Sequence, residues 1–179
     1  MHQHKARSGV YLLMAVRDLF IFEEEYSKLN SIIGRLREEA NAKVVFLVDK
    51  NGQQIAVDGE LHNLDTTSLA SLTAGNVAAT DGLAHLLGEK EFTILFHEGE
   101  RDNIHISVIA QRIILVVIFD HRSSLGLVRL RVKKASTELT PIFETILQKV
   151  SQKREAIKKK FTSPFAEITD EDIENLFQS

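Results

Sequence analysis

The unbroken apolar run Ile113–Phe119 (IILVVIF) constrains this chain more than any other stretch, because a strand without polar alternation has to be covered on both faces. It marks a central strand. Residues 43–49 (KVVFLVD) carry a second such run at 44–48. Two strands of this kind call for a sheet with helices packed against it. At 179 residues the chain is long enough for one well-buried domain plus tails.

The remaining periodicities supply the layers. Phe22, Tyr26, Leu29, Ile33, Leu36 and Ala40 recur at steps of three and four, giving a first amphipathic helix. Asn51-Gly52 follows the 43–49 strand and predicts a type I′ hairpin turn, which needs positive φ twice; the returning strand falls at 53–58. After a helix at 65–88 come strands at 92–97, at Asn103–Ile109 and at 112–120, joined by turns around Gly99 and at Ala110-Gln111. A long helix then repeats Leu125, Val128, Val132, Ala135, Leu139, Ile142, Ile146 and Val150. Pro141 predicts a kink or break near Thr140. The order is α-β-β-α-β-β-β-α, an α/β chain of the α+β type with an antiparallel sheet sandwiched by helices.

The helix at 65–88 has two unusual faces. Asp65 is placed to cap it and Gly88 to stop it. At about 100° per residue, Leu69, Leu72, Ala79, Leu83, Leu86 and Leu87 gather on one side. Ala70, Ala74, Ala78 and Gly82 step down the other, beside Ser71, Gly75, Asp81 and His85. Surface helices set an apolar stripe against a charged back; this back is a ridge of small side chains, over which another backbone approaches closely. The leucines are expected to face the core and the small ridge to dock onto another protein. The alternative is a central helix buried within its own fold.

Four segments are expected: an N-terminal extension without stable structure at 1–20, one domain at 21–151, a basic linker at 152–164 and an acidic helix at 165–179. Lys5 and Arg7 precede an apolar run as in a signal peptide, yet Arg17 and Asp18 stand where a cleavage site would be. His2 and His4 read as part of a flexible tail rather than a metal pair. In the terminal segment, Phe165, Ile168, Ile173, Leu176 and Phe177 sit among acidic residues, and Thr169 with Asp172 resembles a capping box. It reads as a helix that docks into a partner's groove, the alternative being a solvated acidic tail.

Catalytic signatures are missing from the sequence. It has no phosphate-binding loop, no nucleophile elbow, no H-E-x-x-H and no dinucleotide fingerprint. The absence of cysteine excludes disulfides, thiolate metal sites and cysteine nucleophiles. A net charge of −3 argues against nucleic acid or an anionic membrane as the main partner, and no segment approaches membrane-spanning length. His97 and His105 are expected to face each other across one hairpin as cross-strand polar packing. Arg112, Arg122, Arg129 and Arg131 are the candidates for an arginine offered to a nucleotide site in trans, but Arg129 and Arg131 read as solvated residues of a helix surface.

The run NAKVVFLVDKNGQQIAVDGELHNLDTTSLASLTAGNVAAT (41–80) resembles the core of roadblock-domain proteins of the bacterial MglB family, and EFTILFHEG (91–99), VIFDHRSSLGLVRLRVKKAS (117–136) and SPFAEITDEDIENLF (163–177) continue the match in order. Departures fall at Thr80-Asp81, where small or apolar residues are usual, at Pro141 and in the longer basic linker. The resemblance implies the roadblock fold with a five-stranded antiparallel sheet. It implies a homodimer that joins two sheets and pairs the central helices, binding one small Ras-like GTPase of the MglA type.

It further implies that the GTPase interface is built from Ala70, Ser71, Ala74, Ala78, Asp81, Gly82 and His85, of which Ala78 and Gly82 match interface positions of the family. The activator supplies no catalytic arginine; it remodels the GTPase so that the GTPase's own arginine and glutamine reach the γ-phosphate. The acidic helix at 165–177 makes a separate contact that tunes affinity or nucleotide exchange. No cofactor is implied for this chain, GTP and magnesium belonging to the partner. The setting implied is the cytoplasm, with concentration at a cell pole, in cell polarity and motility. The expectation is therefore a GTPase-activating regulator without a catalytic site of its own; the alternative is a roadblock scaffold that tethers a GTPase or polarity complex without accelerating hydrolysis.

Overall fold

The computed structural model describes residues 12–16 and 19–161. Five strands form one antiparallel sheet: β3 (Val44–Asp49), β4 (Gln54–Gly59), β5 (Ile94–His97), β6 (Asn103–Ile109) and β7 (Ile113–Phe119), in the spatial order β4-β3-β7-β6-β5. The two apolar runs, β3 and β7, pair directly, Val44 opposite Ile118 and Asp49 opposite Ile113. Both strands are buried along their whole length. Their alternate side chains serve two separate cores. Val45, Leu47, Leu115 and Val117 face helices α1 (Glu23–Glu39) and α3 (Leu125–Phe161). Val44, Phe46, Val48, Ile114 and Val116 face α2 (Thr66–Leu86).

Helix α1 buries the expected stripe, Leu29, Ile33 and Leu36, and its first-turn Glu23, Glu24 and Glu25 suit the positive end of the helix dipole. Arg131 and Lys134 of α3 bridge to Glu39 of α1 at 3.1 and 3.4 Å, and Arg35 pairs with Glu138. These contacts align two helices whose apolar stripes already meet over the sheet.

Four expectations are corrected. β1 (Leu12–Val16) lies within the stretch expected to lack structure and β2 (Leu19–Phe22) begins in it, the two forming an antiparallel pair. Ile21 is fully buried in the α1–α3 core, which gives β2 an anchor. Helix α3 runs unbroken through Pro141 and on through most of the expected linker; Leu139, Phe143 and Ile146, buried on either side of the proline, hold it to the core. Only Gly52 (φ +85°) of Asn51-Gly52 takes positive φ, so the turn is not type I′. Asn51 N–H donates instead to the Asp49 side chain at 2.7 Å, an Asx-type closure. The doubly positive turn is at Ala110 (φ +49°) and Gln111 (φ +60°).

Asp49 ties the two turns together. Its carboxylate is fully buried and also accepts from Arg112 Nε at 2.9 Å, while Lys50 N–H donates to the Arg112 carbonyl at 3.0 Å. Removing the carboxylate strands the arginine and the Asn51 amide. Asp49→Ala is expected to cost roughly 3 kcal/mol in urea unfolding, whereas Asp102→Ala, which breaks the exposed Lys43–Asp102 pair, is expected to cost about 0–1 kcal/mol.

Candidate functional site

Helix α2 begins as expected: Asp65 accepts from the Ser68 amide at 3.0 Å and from its hydroxyl at 2.6 Å. Its inner face differs from the expectation. Ala70, Thr73, Ala74, Val77 and Ala84 are the buried residues. Leu72 (72% exposed), Leu83 (54%), Leu86 (84%) and Leu87 (72%) point away from the core, Ala79 is exposed, and Leu69 is half-buried. Ala70 and Ala74, expected on a docking surface, instead lie in the chain's own core.

The reason is close approach. A helix with alanines against the sheet sits low over β3 and the turn beneath it. A side chain at Gly52 would come within 3.2 Å of Ser71 Cα and 3.8 Å of Ala74 Cβ. Leucines on that side would hold the helix off. The buried stripe runs through 70, 73, 74, 77 and 84; the spacing alone sets Ala70 and Ala74 on the ridge and the larger leucines in the core.

The outer surface of α2 therefore carries two adjacent stripes. Leu72, Ala79, Leu83 and Leu86 form one; Ser71, Gly75, Ala78, Gly82 and His85, all exposed, form the other. A Cβ placed at Gly75 or Gly82 would meet nothing within 4 Å. Asp81 is half-buried beside them, its carboxylate 3.2 Å from Lys50 Nζ. On the opposite flank Asn76 Nδ2 lies 3.0 Å from His97 Nε2. Of the seven interface candidates, the structure brings Ser71, Ala78, Gly82 and His85 to one open face, sets Asp81 at its margin, and leaves Ala70 and Ala74 beneath it. The candidates Phe165, Ile168, Ile173, Leu176 and Phe177 lie outside the described residues.

The arginines separate clearly. Arg112 is held by Asp49, Arg131 by Glu39, and Arg122 by Asp120 and Glu60, each at 2.9–3.1 Å. Hydrogen bonds from Arg122 hold the Asp120 carboxyl down at about 2. Arg129 has no carboxylate partner among the described residues. His97 and His105 do not face each other: β5 and β6 pair His97 with Ile104 and Phe96 with His105, which puts the two rings on opposite faces of the sheet. His105 is 1% exposed, neither ring nitrogen has a hydrogen-bond partner, and burial with the nearby Arg129 charge pushes its pKa down from 6.5 to about 4.

Comparison with known proteins identifies the fold. The family model for the Roadblock/LC7 domain matches residues 28–119. MglB of Myxococcus xanthus is 62% identical, with TM-score 0.68 over 72% of this chain and 96% of its own. The gliding protein MglB of Thermus thermophilus is 33% identical, with TM-score 0.67 over 71% and 96%. A structure described as MglB with tetrameric arrangement is 32% identical, with TM-score 0.67 over 72% and 97%. No curated protein matches the chain.

The buried imidazole makes stability depend on pH. Between 6.5 and about 4 the unfolded chain binds a proton at His105 that the folded chain does not, so its contribution is lost as pH falls through that window. Urea unfolding of the wild type and of His105→Gln at pH 7 and pH 4.5 is expected to show the difference in stability shifting by roughly 2–3 kcal/mol in the variant's favour at the lower pH.

Proposed function

The chain belongs to the Roadblock/LC7 family and, within it, to the MglB-like proteins, and from that premise we propose that it is a homodimeric regulator that stimulates GTP hydrolysis by a small Ras-like GTPase of the MglA type. The observation that carries the reading is the outer face of α2, where a leucine stripe and a small-residue ridge lie side by side in solvent. Each stripe suits a different partner. The leucines are large, flat and apolar, as in the buried centre of a homodimer, and β5 is an edge strand of the sheet beside them, able to pair with a second copy. The ridge of Ser71, Gly75, Ala78 and Gly82 lets a second backbone come close, which suits the switch segments of a GTPase.

An activator of this kind works without donating an arginine. The engagement of Arg112, Arg122 and Arg131 in ion pairs within the chain supports that reading, because extracting one of them would break a contact that orders a turn or aligns two helices. Binding energy at the α2 ridge is then spent on the GTPase conformation in which its own arginine and glutamine reach the γ-phosphate. The acidic segment at 165–177 adds a second contact that tunes affinity or exchange.

Single-turnover GTP hydrolysis by the cognate GTPase is expected to accelerate when the dimer is added; an unchanged rate at saturation would leave a tethering scaffold. Ala78→Arg or Gly82→Arg is expected to weaken GTPase binding by more than about 100-fold, since a long cation blocks approach and is buried unpaired. The melting temperature should hold, because both positions are exposed. A chain ending at Phe161 is expected to bind more weakly yet still stimulate at saturation.

Light scattering is expected to give twice the 20.2 kDa mass of the chain. Leu83→Glu with Leu86→Glu is expected to return it to a monomer at micromolar concentration, because two carboxylates at the centre of an apolar contact must be desolvated without partners.

A further inference from the structure

The sheet face turned away from α2 carries a groove of about 540 Å³, floored by β5 and β6 and walled by α3. The volume is that of a small-molecule site. Its chemistry is one-sided. Arg129 and Lys133 both line it, and no carboxylate among the described residues does. They sit four residues apart, so their charges lie side by side on one helix face and repel. The neighbouring cations of α3, Arg131 and Lys134, are neutralised by Glu39. Arg129 and Lys133 have no such partner among the described residues.

The floor adds hydrogen-bonding capacity that the protein leaves unused. His105 lines the groove with both ring nitrogens unpartnered, although it is 1% exposed. A buried neutral imidazole carries one N–H, and leaving that donor unpaired costs free energy. Ser107 and Ser136 present hydroxyls with no hydrogen-bond partner among the described residues. The Thr137 and Thr140 hydroxyls, by contrast, are engaged by the carbonyls of Lys133 and Ser136. Ile94 and Val132 supply the apolar part of the lining. Two unpaired cations, two free hydroxyls and a buried imidazole beside a short apolar wall match a compact anion with a hydrocarbon portion.

We propose that this groove binds the oxyanion of a small organic molecule, a carboxylate or phosphate ester, clasped by Arg129 and Lys133 above Ser107, Ser136 and His105. The arginine offers a planar fork and the lysine a point charge, so the oxyanion takes charge-assisted bonds from both. The site lies on the opposite face of the sheet from the α2 ridge and stands independently of the GTPase reading.

The test is a titration of the full-length ¹⁵N-labelled protein with inorganic phosphate, with citrate, and with a synthetic peptide of residues 163–179, at ionic strength held constant with sodium chloride. Saturable shifts of the Arg129 side chain, the Ser107 and Ser136 amides and the His105 ring with phosphate or citrate are expected. Phosphate alone would point to a phosphate ester, and citrate alone to a carboxylate. Arg129→Gln with Lys133→Gln, both exposed positions, is expected to weaken the saturable binding by about tenfold or more while leaving the spectrum folded. Shifts with the peptide only would overturn the proposal in favour of a peptide-docking groove. Drifts with phosphate and citrate that do not saturate, or that persist unchanged in the double variant, would overturn it altogether. No GTPase takes part, so failure here leaves the activator reading to its own hydrolysis assay.

Discussion

The paired strands β3 and β7 are apolar on both faces, and the rest of the architecture follows from covering them. One face receives two long helices whose wide aliphatic stripes interdigitate with Val45, Leu47, Leu115 and Val117. The other receives a single helix, which reaches the sheet through alanine, threonine and valine. A thin contact of this kind brings the helix axis close to the strands and leaves the bulk of its side chains outside. The exposed leucines of α2 are thus a consequence of how the sheet is covered.

That asymmetry divides the molecule into two working surfaces. The α2 side offers exposed apolar groups, small side chains and an edge strand, the materials of protein–protein contact. The α3 side is tied down by ion pairs between helices and is polar where it opens, at the groove beside β5. Asp49 and Arg112 fix one end of the sheet by joining its two tight turns, so α2 rests on a turn that cannot easily shift.

Sequence reading located nearly every element of the sheet and helices because strand and helix periods are local properties. The runs at 44–48 and Ile113–Phe119, the stripe of α1 and the Asp65 cap each stood in a short window. The type of turn at Asn51-Gly52 did not, since it was decided by a carboxylate that also had to satisfy Arg112, a residue 63 positions from Asp49. The continuity of α3 through Pro141 depended likewise on a core assembled from distant segments.

The candidate site shows the same boundary. Composition and spacing singled out residues 65–88 and placed Ser71, Ala78, Gly82 and His85 on one open helix face. Which face turned inward was beyond local pattern, because a leucine stripe and an alanine stripe on the same helix can each bury apolar surface. The distance available between helix and sheet chose between them, and Gly52 beneath Ser71 sets that distance. The pairing of His105 with Phe96 rather than His97 was a matter of strand register, fixed by the whole sheet. Sequence alone determined the elements of the five-stranded sheet, the helices packed on it, their order and the unusual two-faced helix. Only the tertiary structure decided what each face of that helix meets, since facing is settled by packing distance and register between segments remote in the chain.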